Sequence, residues 1–316
     1  MKNKTLILHL TGGLGNQLFQ LAAAIGCTEE SPILLEAKLG RPRSDRNGNP
    51  DLYGFELPPE ITRGSSLSGP VVLIKGCGYL LRNGLTQKPW EKIPGFLLIA
   101  RSIVGVLLTV RFRKITIPFV ARGNGKTEIK TSKLQTYLIG YFQSPLWART
   151  KNVLPILQGL APAEDCDVRD ELIRLAAEEK PLVVHYRLTD YKDENFGIPS
   201  QHYYESAIGE LWRSGEFQRI WVFSDEVGAA KNIFPRELLS NVRWIENSTC
   251  SPVCVLETMR HGNGYVIANS TFSWWGAFLS RTPNAKVIGP EPWFKTMGGP
   301  NDLIVEAWKG MDPAWG

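Results

Sequence analysis

Residues 5–26 read TLILHLTGGLGNQLFQLAAAIG: an apolar run, a glycine cluster, then an apolar segment rich in alanine. The run suits a buried strand, and LFQLAAAIG has the composition of the first turns of a helix. A strand, a glycine turn and a helix in this order gather backbone N–H groups and a helix N-terminus at one point, a ready seat for a phosphate or another anion. Gly13 and Gly15 supply two glycines of a G-x-G-x-x-G dinucleotide turn, but Leu18 stands at the third position. Glu36 falls about 20 residues on, where such a turn keeps its ribose ligand. A nicotinamide-dependent oxidoreductase with a Rossmann turn at residues 12–18 therefore stays in view. Asn16 and Gln17, two amides at the mouth of the helix, favour a hydroxyl-rich ligand that uses paired donors and acceptors.

The same strand and helix pattern recurs along the chain. Strand-like runs are PILLEA, PVVLIKG, TYLIGYF, PLVVHYR, RIWVFSD, YVIANS and AKVIGP, with helix-period segments such as DVRDELIRLAAEEK and QHYYESAIGELWRS between several of them. That alternation predicts an α/β fold with mainly parallel sheets. Pro155 and Pro162, with a shift of composition after KNVLPILQGLAPAEDC, mark a junction and divide the chain into domains 1–162 and 163–316.

Composition narrows the partners. A chain of 316 residues that is 43% hydrophobic can build two ordinary cores, and a net charge of +5, spread along it, gives little footing for nucleic acid. A phosphate-bearing ligand remains compatible with that charge. MKNKT carries no apolar run with a cleavage site behind it, and the five cysteines follow no framework spacing, which together fit a reducing cytoplasm. Cys250 and Cys254 are four apart, but no second pair or His cluster completes a zinc set, so two buried or half-buried thiols are expected. The most apolar stretch, residues 93–114, is broken by Arg101, and its run from Ile103 to Val110 is far short of the roughly 20 residues that span a bilayer. A buried helix is the expectation there. The alternative is a peripheral membrane contact at the inner face, with Arg111, Arg113 and Lys114 meeting anionic lipid.

Three later stretches carry chemistry. In VVHYRLTDY, residues 183–191, alternation along a strand points His185 and Arg187 to one face at the carboxyl end, where ligands sit in open α/β sheets. An arginine there suits a leaving diphosphate, since it is always charged and binds phosphate oxygens bidentately; Asp190 can orient it or a neighbouring loop. WVFSDE ends a strand on Ser224, Asp225 and Glu226, where a carboxylate can accept the paired N–H donors of a guanine edge or simply cap a helix. VIANSTFSWWGAFLS sets Asn269, Ser270, Thr271 and Ser273 before a helix, a second anion-ready start, with Trp274 and Trp275 as core aromatics. The only D-x-D of the metal-dependent type, Asp165–Asp167, is better explained as the acidic first turn of a helix.

Together GGLGNQLFQ, the H-x-R-x-x-D-Y of His185, Arg187, Asp190 and Tyr191, FSDE and NSTFSWWGAFL resemble the bacterial and animal α-1,2-fucosyltransferases of glycosyltransferase family 11. Weaker likeness extends through YLIGYFQSPLW, IPSQHYYESAI and VIGPEPWF, so it runs along most of the chain. The resemblance implies a GT-B type α/β fold, two Rossmann-like domains facing a cleft. The first domain would be mainly acceptor-side and the second would bind the GDP-sugar. It implies inverting transfer from GDP-fucose, without a metal, to a galactose-containing acceptor. Arg187 would hold the donor diphosphate, His185 contribute to nucleoside binding, Asp225 or Glu226 read guanine, and Ser270, Thr271 and Ser273 line the phosphates. Asn16, Gln17, Ser224 and Asn269 complete the donor-binding set. Leu188 stands where the family's second arginine is usual, and Glu226 replaces the second aspartate of S-D-D. The base that activates the acceptor hydroxyl stays open among Asp190, His185 and a polar residue near Asn16. Beside the oxidoreductase, a noncatalytic glycan-binding module is the other alternative to the transferase.

Overall fold

The computed structural model describes residues 5–28, 31–37, 42–44, 48–64, 115–116, 135–188, 197–246, 250–295 and 302–315. The chain divides into two compact units, Met1–Leu160 and Ala161–Gly316. The run PVVLIKG, the apolar stretch 93–114, Cys77, Asp190 and Tyr191 lie outside the described residues.

In the first unit the apolar run becomes β1 (Thr5–His9) and the segment after the glycines becomes α1 (Leu14–Gly26). There follow β2 (Ile33–Glu36), a 3-10 turn at Asp51–Gly54, β3 (Ile61–Arg63), β4 (Ile115–Thr116), β5 (Gln135–Ile139), α2 (Pro145–Ala148) and α3 (Val153–Gly159). The strands pair in parallel in the order β3-β2-β1-β5-β4. A helix that is apolar on most of its faces belongs inside, and α1 is buried at Leu14 and Gly15 and then continuously from Gln17 through Ile25. Gly12 turns the chain at φ +72°, and a Cβ there would lie 2.6 Å from Asn16 Nδ2, so only glycine fits between β1 and α1.

The second unit contains α4 (Asp167–Glu179), β6 (Pro181–Tyr186), α5 (Gln201–Trp212), β7 (Arg219–Ser224), α6 (Val227–Ile233), β8 (Val242–Glu246) and α7 (Pro252–Arg260). It closes with β9 (Gly264–Val266), α8 (Thr271–Phe278), β10 (Lys286–Pro290) and β11 (Lys309–Met311). Its sheet is again parallel, in the order β11-β10-β9-β6-β7-β8. Every residue of the central β6 is buried, which accounts for its unbroken apolar run. Leu182, Val184 and Tyr186 share a core with Tyr203, Tyr204, Ala207 and Ile208 of α5. Both tyrosine hydroxyls cap strand ends: Tyr204 donates to the carbonyl of His185 at 3.2 Å and Tyr203 to that of Ile267 at 2.7 Å. Trp274 and Trp275 are fully buried, and Trp274 Nε1 donates to the Leu303 carbonyl at 2.7 Å. The Asp165–Asp167 stretch leads into α4, with Asp167 and Asp170 in its first turn.

Within this unit a buried charge cluster joins α7 to the segment after α8. Glu257 accepts from Arg260 at 2.6 Å and from Arg281 at 3.1 Å, and lies 3.5 Å from His261. Arg260 is 1% exposed and also donates through Nε to the Leu279 carbonyl. Burial would raise the Glu257 carboxyl, but the His261 hydrogen bond and the charges of Arg260 and Arg281 outweigh it and hold the group at about 2. A depressed carboxylate contributes stability that is present above its unfolded value and lost as pH falls toward the folded one. Glu257→Gln should therefore cost about 3–5 kcal/mol at pH 7, the scale for breaking a buried pair. Urea unfolding at pH 7 and pH 3 checks it, because the gap between wild type and variant should narrow at pH 3.

Candidate donor site at the carboxyl edge of the second sheet

Because β6 lies between β7 and β9 and all three run in parallel, their carboxyl ends emerge side by side. Tyr186 is the register partner of Ser224, which sets Arg187, one residue on, level with Asp225. The first turn of α8 begins a few residues beyond β9. This edge is where ligands bind in open parallel α/β sheets.

Asp225 fixes the arrangement. Its Oδ1 accepts the Leu188 backbone N–H at 3.0 Å, and its Oδ2 lies 3.4 Å from Arg187 Nη1. Both side chains are mostly but not wholly covered, at 18% and 15% exposure, so the guanidinium is held while part of it stays reachable. The sequence offers Asp190 to orient Arg187 and Asp225 to read a base; the structure shows Asp225 in the orienting place. Leu188 buries its side chain in the core and lends its N–H to that clasp.

His185 sits behind Arg187 at 2% exposure, its ring 6.1 Å from that of Phe272 in the first turn of α8. Burial lowers its pKa, the Arg187 charge lowers it further, and the Asp225 charge offsets only part, leaving it at about 3. The imidazole is thus neutral at physiological pH, and Nδ1 has no hydrogen-bond partner among the described residues. A buried polar atom without a protein partner is costly unless something else satisfies it. A base with so low a pKa is poorly matched to deprotonating a hydroxyl near neutrality.

Several polar residues expected to face a ligand hold the loops. Ser224 Oγ accepts the Glu226 N–H at 3.0 Å, and Ser270 Oγ caps α8 through the Phe272 N–H at 3.3 Å. Ser273 is fully buried, with its hydroxyl donating back to the carbonyls of Ala268 and Ser270. Asn269 Nδ2 donates to the Gly197 carbonyl at 2.9 Å, tying the segment that enters α5 to the end of β9. In the first unit Gln17 is 0% exposed and its amide is filled: Nε2 donates to the carbonyls of Gly12 and Arg43, and Oε1 accepts from Leu52 N–H. Asn16 is half-buried and accepts from Gln143 Nε2 at 2.8 Å. Arg187, half-exposed Thr271 and exposed Glu226 remain at the surface of the edge.

Residues 128–310 match glycosyl transferase family 11. The chain belongs to that family. It is 27% identical to the O-antigen biosynthesis glycosyltransferase WbnK of Escherichia coli, over 95% of this chain and 98% of that one. It is 32% identical to an Escherichia coli alpha-1,2-colitosyltransferase over 120 residues, 35% of this chain and 40% of that one. Among solved structures it is similar to the fucosyltransferase NodZ from Bradyrhizobium, with a TM-score of 0.47, 11% identity and coverage of 89% and 94%. It is also similar to the E. coli ADP-heptose lps heptosyltransferase II, with a TM-score of 0.44, 10% identity and coverage of 98% and 90%. The structure holds two units, each built on a parallel α/β sheet, and membership of a glycosyl transferase family sets the oxidoreductase reading aside. Among the described residues no helix is long and apolar enough to cross a membrane.

The neutral state of His185 is directly measurable. Its ring should show no protonation step above about pH 4 in a side-chain NMR titration of the full chain. An unfolded histidine takes up a proton near pH 6.5, so this site withdraws stability as pH falls from there toward 3.

Proposed function

We propose that this family 11 glycosyltransferase transfers L-fucose from GDP-fucose, with inversion and without a metal, to O2 of a terminal galactose in an O-antigen or other surface polysaccharide acceptor. One observation carries the donor half of that reading: a guanidinium clasped by Asp225 at a sheet edge, beside a buried neutral histidine and a helix start. As the fucosyl–oxygen bond breaks, negative charge builds on the β-phosphate. A fixed cation stabilises that charge without reorganising at the moment of reaction. In this reading the second unit binds the GDP-sugar and the first serves the acceptor. The name of the WbnK relative supports an O-antigen acceptor, and that of the colitosyltransferase supports a 1,2 linkage. The second name also favours a colitosyl donor as the variant reading of the same site.

Asp225 uses both oxygens within the protein, so Glu226 takes the guanine edge, its carboxylate accepting from the ring N1–H and the exocyclic amino group. His185 offers the nucleotide a neutral imidazole. It drops out as the base that takes the acceptor proton, which leaves Asp190 and a polar residue near Asn16 for that role.

GDP should raise the melting temperature as much as GDP-fucose does, and UDP should leave it unchanged; equal stabilisation by UDP removes the guanine reading. Glu226→Gln should weaken GDP about tenfold or more, the scale of a lost charge-assisted hydrogen bond, and leave inorganic pyrophosphate binding as it was.

Arg187→Ala should keep the circular dichroism of the wild type and cut kcat for GDP release onto a galactose-terminated acceptor by about a hundredfold or more. Lysine should rescue little, because a point charge cannot reproduce the bidentate fork. Asp225→Asn keeps an acceptor for Leu188 N–H but loses the ion pair, so its kcat should fall between the two. Near wild-type turnover in a folded Arg187→Ala protein would overturn the assignment.

A further inference from the structure

We propose that Cys166 and Cys250 form a peroxide-sensitive thiol pair that closes into a disulfide across the second unit. They lie 84 residues apart in sequence, yet their sulfurs are 3.1 Å apart. Cys166 is the N-cap of the 13-residue α4, where its Sγ accepts the Arg169 backbone N–H at 3.4 Å. The third member, Cys254 in the first turn of α7, has its sulfur 3.8 Å from Arg169 Nη1. A helix N-terminus, a cation and neighbouring S–H donors are the surroundings that favour a thiolate.

The three sulfurs are not equivalent. Cys254 is buried, and burial, joined by the nearby Cys166, pushes its thiol up. Cys166 is half-buried. Burial alone would raise it too, but hydrogen bonds from Cys250, the Arg169 N–H and Cys254, with the Arg169 charge, bring it below its ordinary value. Cys166 is therefore the nucleophile, half-buried Cys250 its resolving partner, and Cys254 a protonated hydrogen-bond donor.

The steps balance with a hydroperoxide as oxidant. The Cys166 thiolate attacks the terminal peroxide oxygen, the S–O bond forms, the O–O bond breaks, and the alcohol or water leaves with a proton. The Cys250 sulfur then attacks the Cys166 sulfenic sulfur, the S–S bond forms, and hydroxide departs with the Cys250 proton as water. Two thiols are oxidised and one peroxide is reduced. The bond would fasten the start of α4 to the segment after β8, enclosing β6 and β7, the strands that lead into Arg187 and Asp225.

The test treats the reduced full chain with hydrogen peroxide, counts thiols with a chromogenic disulfide, and maps non-reduced tryptic peptides by mass spectrometry. Two thiols per chain should be lost, a Cys166–Cys250 linked peptide should appear, and dithiothreitol should restore both. Loss at Cys166 should be about tenfold faster than at Cys27. In Cys250→Ser the linked peptide should vanish and a dimedone adduct should accumulate on Cys166, while Cys27→Ser should behave as wild type. Linkage to Cys254 in place of Cys250, only between-chain crosslinks, faster oxidation of Cys27, or no dimedone adduct in Cys250→Ser would each overturn the pair.

Discussion

The parallel pairing of β6 with β7 on one side and β9 on the other is the constraint on which the candidate site depends. It brings the ends of three strands, far apart in sequence, to one line. Asp225 then converts proximity into geometry, bonding the Leu188 N–H and the Arg187 guanidinium with its two oxygens. The register that sets Tyr186 beside Ser224 is what makes that clasp possible, since a slip of one residue would turn Arg187 to the opposite face. Tyr203 and Tyr204 hold the strand ends from the α5 side, and Asn269 holds the chain entering that helix.

The polar residues around this edge divide by what their hydrogen-bonding groups already do. Ser224, Ser270, Ser273 and Asn269 close turns and caps, which shapes the edge at the cost of few exposed groups. Their hydrogen bonds tie a loop-rich region to the sheet edge. His185 is different, because burial beside a cation keeps it neutral and leaves Nδ1 without a partner among the described residues. The buried cluster at Glu257 shows the opposite solution: three basic side chains surround one carboxylate, and the charge is kept.

The strands at the centre of each sheet were legible because burial on both faces leaves an unbroken apolar run, as in TLILH and PLVVHY. Edge strands were not. β8 mixes Arg243 into its run, with Arg243 Nε donating to Glu179 at 3.1 Å, and β11 has three residues, so neither shows a period. Glycines, prolines and short motifs located the turns, but a motif names residue types and not the partners they find. Gln17 illustrates this: its place at a helix mouth suggested a ligand, and three backbone groups from Gly12, Arg43 and Leu52 occupy it.

The sequence by itself determined the α/β class, the strand–turn–helix units, the family, and the strand ends on which an anion-binding edge could be built. These are local or additive properties, read from periodicity, glycine placement and the order of motifs. Only the tertiary structure decided which carboxylate holds Arg187, which hydroxyls and amides are already committed, and that Cys166 lies against Cys250 rather than apart from it. The physical reason is that each of those depends on a pairing between residues tens of positions apart. Strand order and register create such a pairing, and no spacing along the chain encodes it.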